Sequence, residues 1–126
     1  GKIICSGARS KSEINKAVEK LLAKFRQARI KIKGKPKVEI QNIVASASLN
    51  FRVNLDILAI ECENTEYEPE QFPGLIHRML DPKTVILLFS SGKLVCTGAK
   101  KESDVYRSVH NLHSLLEEKN LMIYDQ

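Results

Sequence analysis

Apolar positions along this chain switch between two periods. Ile14, Val18, Leu21 and Phe25 recur at the spacing of one helix face, and Val105, Val109, Leu112 and Leu116 do so again, which predicts helices over about 11–29 and 102–118. A shorter helix near 54–60 presents Leu55, Leu58 and Ala59. Alternating or short apolar runs predict strands over 2–6, 38–49, 74–80, 83–89 and 93–97, with an extended piece around 62–68. Between them fall a Lys/Gly/Pro link at 31–37, an irregular loop through Pro69, Pro73 and Gly74, the turn Asp81-Pro82 and the tight turn Ser90-Ser91-Gly92. Consecutive strands joined by short turns pair antiparallel, so the fold class is α+β, an antiparallel sheet with helices on one face only.

The pattern also repeats. Gly1-Lys2-Ile3-Ile4-Cys5-Ser6-Gly7-Ala8-Arg9 returns 91 residues later as Gly92-Lys93-Leu94-Val95-Cys96-Thr97-Gly98-Ala99-Lys100, with five of nine positions identical. Each copy reads as strand, glycine turn and helix. A period that long implies two copies of a whole unit rather than a solenoid. The expected organisation is therefore 1–37 as the C-terminal part of repeat one and 38–126 as a complete repeat two, the numbering starting inside the first copy. Strand 2–6 would then lack its neighbour and leave backbone unpaired.

Strand parity says what the helix-free face carries. In strand 38–49, Ile43, Ala45, Ala47 and Leu49 share the packed side and leave Asn42, Val44, Ser46 and Ser48 outward. In strand 83–89, Ile86 and Leu88 go inward and Lys83, Val85, Leu87 and Phe89 outward, while in strand 93–97, Leu94 and Cys96 go inward and Lys93, Val95 and Thr97 outward. A sheet face wetted by solvent is rich in charge, and this one is not. An apolar face rimmed by cations marks a binding surface. Its chemistry is expected to be Asn, Ser, Thr and Lys with no positioned His or carboxylate, which disfavours a hydrolase or DNA-repair enzyme.

Charge divides sharply along the chain. The net +5 is the balance of twelve Lys/Arg against two acids in residues 1–37 and eight against thirteen in residues 38–126. The basic stripe, including Lys16, Lys20, Lys24 and Arg26, is either a solvated helix face or an electrostatic site for phosphate or an acidic partner. The acids Glu61, Glu63, Glu66, Glu68 and Glu70 lie within ten residues. Three separated cysteines suggest packed thiols in a reducing compartment rather than a disulfide framework or a zinc cluster. His110 and His113 lack a third ligand, so no metal is expected. No apolar run approaches the ~18 residues of a spanning helix.

Gln41-Asn42-Ile43-Val44-Ala45, Tyr67-Glu68-Pro69-Glu70-Gln71-Phe72-Pro73-Gly74-Leu75-Ile76, Arg78-Met79, Pro82-Lys83, Phe89-Ser90-Ser91-Gly92-Lys93 and Cys96-Thr97-Gly98-Ala99-Lys100 together resemble the core domain of the TATA-binding protein family, in the right order and across essentially the whole chain. The Glu-Pro-Glu-Gln-Phe-Pro-Gly wording resembles archaeal members. The resemblance implies a saddle with a curved antiparallel sheet, a concave DNA-binding underside and helices on the convex face, built from two pseudo-repeats of which the first is incomplete here.

It also implies roles. Phe72 and Phe89 resemble a phenylalanine pair that wedges between base pairs. Asn42 resembles the central asparagine that bonds minor-groove acceptors, and Thr97 with Ser6 the central hydroxyls. Val44, Val95, Leu87 and Ile4 fit the apolar floor contacts, and Arg78, Lys83, Lys93, Lys2 and Ser91 the phosphate contacts. Glu68, Glu70 and Gln71 fit the loop that receives transcription factor B. The partners implied are double-stranded promoter DNA, transcription factor B and the RNA polymerase machinery, with no membrane, small-molecule substrate, metal or cofactor. The compartment is the cytoplasm if the source is archaeal and the nucleus if eukaryotic.

Each role has a plainer structural alternative. Phe89 could be a core residue, Phe72 a loop anchor and Asn42 a satisfied sheet residue. Cys96, by its parity, is a buried hydrophobe rather than a nucleophile. The whole domain could instead be a protein-interaction module of the same fold without DNA binding. A charged residue at Val44, Val95 or Phe89 would favour that reading, and none is present.

Overall fold

The computed structural model describes residues 1–124 and divides into two units, Gly1–Val38 and Glu39–Gln126.

The first unit is a single helix with irregular flanks. Helix α1 spans Lys11–Gln27. Its first turn is closed twice: the Ser10 hydroxyl accepts from the Glu13 N–H at 3.1 Å, and the Glu13 carboxylate accepts from the Arg9 N–H at 2.8 Å. Its last turn closes where Arg29 takes φ 60° and Ile30 N–H donates to the Phe25 carbonyl at 2.8 Å, satisfying carbonyls that the helix leaves free. The apolar stripe of Ile14, Val18, Leu21 and Phe25 is only half-buried, and no α1 residue is fully buried.

Residues 2–6 correct the sequence reading, because they form no strand and are exposed. A strand needs a neighbour for its N–H and C=O groups, and the Gly1–Val38 unit holds no second extended segment that pairs with it. Cys5, expected to be packed like its counterpart Cys96, is exposed for the same reason.

The second unit carries the sheet. Strands β1 (Ile43–Ser48), β3 (Thr65–Glu66), β4 (Leu75–Leu80), β5 (Lys83–Leu88) and β6 (Lys93–Ala99) form a curved antiparallel sheet in the order β1-β6-β5-β4-β3. Helices α2 (Leu55–Glu61) and α3 (Glu102–Glu118) complete the layer. β1 is shorter than the predicted 38–49: residues 38–42 stay irregular, and pairing with β6 begins at Ile43. A second sheet escapes the sequence pattern altogether, β2 (Arg52–Val53) against β7 (Met122–Ile123), each only two residues long.

One row of directly opposed residues crosses the packed face: Ala45, Cys96, Ile86, His77 and Thr65. Leu58, Leu75, Ile86, Leu88, Leu94, Cys96, Leu112 and Leu116 are fully buried between sheet and helices. Each large apolar side chain removed from water there contributes about 1.5–3 kcal/mol. Polar pins fix α3 over this core. The Thr84 and Ser108 hydroxyls lie 2.7 Å apart, and Ser108 donates to the Asp104 carbonyl at 2.7 Å. At the β4–β5 turn, Arg107 reaches the Asp81 carboxylate at 3.3 Å and Asn111 donates to the Asp81 carbonyl at 3.3 Å.

His77 is the costly member of the row. Its side chain is 8% exposed, its Nδ1 has no partner, and burial pushes its pKa below the ordinary value of 6.5. The unfolded chain then takes up the proton more readily than the folded one, so His77 favours folding above pH 6.5 and loses that advantage as the pH falls through its lowered folded value. Replacing His77 by Phe keeps a ring in the slot without a titrating group. Denaturant titrations from pH 7 down to pH 4.5 are expected to show a smaller loss of stability in H77F than in the wild-type chain; parallel curves would disprove the assignment.

Candidate nucleic-acid interface

The face opposite the helices is built by the same pairings, one residue out of phase. Ser46, Val95, Leu87, Ile76 and Glu66 lie side by side across all five strands, and Thr97, Val85 and Arg78 form the next row. Val44 projects beside them, 63% exposed. Lys93 opposes Ser48 at one end of the sheet and Lys83 opposes Leu80 at the other, so cations stand at both margins of an apolar floor. A groove of about 660 Å³ opens on this face, lined by Ser46, Ser48, Phe89, Ser91, Lys93 and Val95.

Phe72 and Phe89 meet at the corner where the loop of residues 67–74 returns to the sheet. Their ring centroids are 5.8 Å apart at 63°, an edge-to-face contact favoured by the ring quadrupoles. Phe72 is held by its N–H donating to the Glu68 carbonyl at 2.9 Å, and Phe89 by its N–H donating to the Lys93 carbonyl at 2.9 Å. Phe72 keeps 38% of its surface exposed. Two glycines make the corner possible. A Cβ on Gly74 would come within 2.7 Å of the Phe72 ring and 3.1 Å of the Phe89 ring, and one on Gly92, at φ 93°, would run into the Phe51 carbonyl oxygen.

Asn42 lies just before β1 and reaches across to β6. Its Oδ1 accepts from the Gly98 N–H at 2.7 Å, and its Nδ2 donates to the Thr97 Oγ1 at 3.4 Å. The loop acids Glu68 and Glu70 and the neighbouring Gln71 are exposed, and the Glu68 carbonyl also accepts from the Gln71 N–H at 3.0 Å.

Three sequence expectations need correction or refinement. The open face does hold a carboxylate, Glu66, which β3 places beside Ile76. It pairs with the Arg78 guanidinium at 2.9 Å, so Arg78 is not an unengaged cation awaiting phosphate; with both side chains more than half exposed, the pair is weak and easily exchanged. Lys2, Ile4 and Ser6 lie in an irregular, exposed stretch of the first unit rather than on a strand. Sequence reasoning also missed Ile76 and Leu80 on the open face, although the alternation through β4 carries both. Leu80 is 78% exposed.

The remaining chemistry is inert. Burial pushes the Cys96 thiol up, with the Ser108 and Thr84 hydroxyls pulling weakly the other way, so it is a protonated thiol in the core. Burial likewise raises the Cys62 thiol. His113 is engaged with Glu117 at 3.3 Å and packs its ring edge-on to Phe51. Among the described residues no group of three or more His, Cys, Asp and Glu could hold a metal ion, and no helix is long and apolar enough to cross a membrane.

The second unit is thus an antiparallel sheet covered by helices on one side and open, apolar and cation-edged on the other. Residues 37–119 match the family model described as "Transcription factor TFIID (or TATA-binding protein, TBP)". The chain is 52% identical over 116 residues to a TATA-box-binding protein of Pyrodictium occultum, covering 92% of this chain and 58% of that protein. It is 46% identical over 122 residues to the TATA-box-binding protein of Pyrococcus furiosus, covering 97% and 64%. The solved structure of Methanococcus jannaschii TBP superposes with a TM-score of 0.84 at 46% identity, over 89% of this chain and 64% of that one. The chain belongs to the TATA-binding protein family. It spans about three fifths of the length of these relatives.

Replacing Gly74 by Ala is expected to drive the Phe72 and Phe89 rings apart while the sheet stays intact. NMR would show the loss of ring-to-ring NOEs with unchanged cross-strand NOEs between β4 and β5. Persistence of the ring contact in G74A would mean that the corner does not depend on the glycine.

Proposed function

We propose that this chain is the DNA-binding part of a general transcription initiation factor that sits in the minor groove of A·T-rich promoter DNA, kinks it and recruits transcription factor B and RNA polymerase. The observation that carries the reading is the open sheet face: β1, β6, β5 and β4 present Ser46, Val95, Leu87 and Ile76 side by side where a solvated sheet would present charge. Residues 1–37 are read as the end of one repeat and 38–126 as the whole of the next.

The minor groove offers acceptors at A·T pairs and adds the guanine amino donor at G·C. Val44, Val95 and Leu87, with Val85 and Ile76, give that amino group no acceptor, so an unpaired donor disfavours G·C. The Phe72 and Phe89 pair is shaped to enter a base step; the TATA-binding protein is itself the standard example of such wedging, so the kink is taken from the family rather than derived from the rings. Lys83, Lys93 and Ser91 at the margins supply phosphate contacts, with Arg78 joining when phosphate displaces Glu66. Lys2, Ile4 and Ser6 are accessible for the matching contacts of the first repeat. The exposed Glu68, Glu70 and Gln71 form the surface read by transcription factor B. The factor carries out no catalytic step and needs no cofactor, and by its archaeal relatives it acts in the cytoplasm.

Phe72→Ala and Phe89→Ala distinguish wedge from core. A wedge variant loses about 1–3 kcal/mol of binding to an A·T-rich duplex for each ring removed from the base stack, with a reduced bend by fluorescence energy transfer and little change in melting temperature. A buried phenylalanine would instead cost about 3–5 kcal/mol of stability, and that result with bending retained would return both residues to structural roles.

The double variant Glu68→Arg with Glu70→Arg is expected to abolish capture of transcription factor B in gel shifts and to leave duplex affinity equal or slightly higher, because negative charge near phosphate is removed. A surviving ternary complex would refute the loop assignment.

A further inference from the structure

We infer that the backbone N–H of Gly98 locks Asn42 in the one amide orientation that presents only a donor to the base pair it faces, and that this lock contributes to the rejection of guanine there. The inference rests on the minor-groove reading above and adds a specificity-determining group to it.

The lock originates in the β1–β6 register. Ile43 opposes Ala99 and Ala45 opposes Cys96, so Thr97 and Gly98 together face Val44 alone. That extra residue is a bulge on β6, and Gly98 adopts φ 90°, a conformation that disfavours any side chain. The Gly98 N–H meets the Asn42 side chain at 2.7 Å. An atom that close to an N–H must accept, so it is the oxygen, and the amide nitrogen has only one other direction to face.

That direction is Thr97. Nδ2 lies 3.4 Å from Thr97 Oγ1 and donates to it. The hydroxyl, having accepted once, keeps its own proton to donate and a second lone pair, whereas Nδ2 keeps only its second N–H. Asn42 is exposed and Thr97 half-buried, so both free protons can face a ligand. Against adenine N3 or thymine O2 they find acceptors; against the guanine amino group the Asn42 N–H meets another donor. A freely flipping asparagine would escape this conflict by turning Oδ1 toward the amino group. The Gly98 N–H prevents the turn, since the flip would set Nδ2 against it.

The test removes one hydrogen bond donor. An ester in place of the Thr97–Gly98 amide, introduced by ligation into the full chain, deletes the N–H and leaves a residue free to take φ 90°. Affinities are read by fluorescence anisotropy on three duplexes that differ only at the central base pair: A·T, I·C, which lacks the amino group, and G·C. The unmodified chain is expected to bind A·T and I·C alike and G·C more weakly. In the ester, the G·C penalty is expected to shrink by roughly tenfold, the factor set by about one hydrogen bond, while A·T and I·C affinities change little. An unchanged G·C penalty in a folded ester overturns the lock.

A second measurement needs no chemical modification. A through-hydrogen-bond coupling between the Gly98 amide nitrogen and the Asn42 side-chain carbonyl carbon is expected in the free, isotope-labelled protein, and its absence overturns the lock even where the ester fails to fold. Asn42→Asp keeps an acceptor for Gly98 and deletes both side-chain donors, so it should weaken A·T and I·C binding together; wild-type affinity in N42D overturns the donor role of Asn42. If the unmodified chain shows no preference among the three duplexes and no binding to A·T, the minor-groove reading itself has failed, an outcome distinct from loss of the lock.

Discussion

Register across the sheet is the constraint on which the rest of the second unit depends. Once Ala45, Cys96, Ile86, His77 and Thr65 are fixed opposite one another on the packed face, the identity of every residue on the open face follows from a period of two. A slip of one residue in β5 would bring Lys83, Val85 and Leu87 against α3 and expose Thr84, Ile86 and Leu88. Exposing the fully buried Ile86 and Leu88 would cost about 1.5–3 kcal/mol each, and the Lys83 charge would be driven into the core. The open face is therefore held in place by residues on the opposite side of the sheet. Its apolar character costs stability only in the sense that nothing covers it, and its shape is set from behind.

The two glycines of the corner extend this logic to the ring pair. Gly92 lets the β5–β6 turn pass against the backbone of residue 51, which positions Phe89 at the end of β5. Gly74 leaves room for both rings where the loop rejoins β4. The Phe72–Phe89 contact thus depends on backbone geometry at positions with no side chain at all, and the prolines flanking Phe72 limit how far the loop can drift.

Much of this was legible in the sequence, and the reason is local. Both 17-residue helices, the β4–β5 and β5–β6 turns and the inward and outward sets of β1, β5 and β6 are written in spacings of two to four residues. What was not legible depends on partners distant in sequence. β2 and β7 are two residues each, too short for any periodicity, and exist because residues 52–53 and 122–123 meet. The Glu66–Arg78 pair needs β3 laid beside β4, which no spacing announces. The Asn42–Gly98 bond spans 56 residues and arises from a bulge that parity alone would have ruled out. Ile76 and Leu80 were readable from alternation through β4 and were passed over.

The internal repeat separates local from tertiary determinants within one molecule. At an offset of 91, Lys11–Gln27 and Glu102–Glu118 are both helices, Arg29 and Asn120 both take positive φ at the helix end, and Ile30 and Leu121 both donate to the carbonyl five residues back. Gly7 and Gly98 share positive φ as well. Yet Gly1–Ser6 is irregular, whereas its near-copy Gly92–Thr97 contains a central strand. Nearly the same residues take the same turn and helix in both places, but only the copy flanked by β1 and β5 becomes a strand. Helix ends satisfy their hydrogen bonds within a few residues, so sequence suffices for them. A strand satisfies its bonds only through neighbours, and the apolar face it presents exists only where those neighbours are in place.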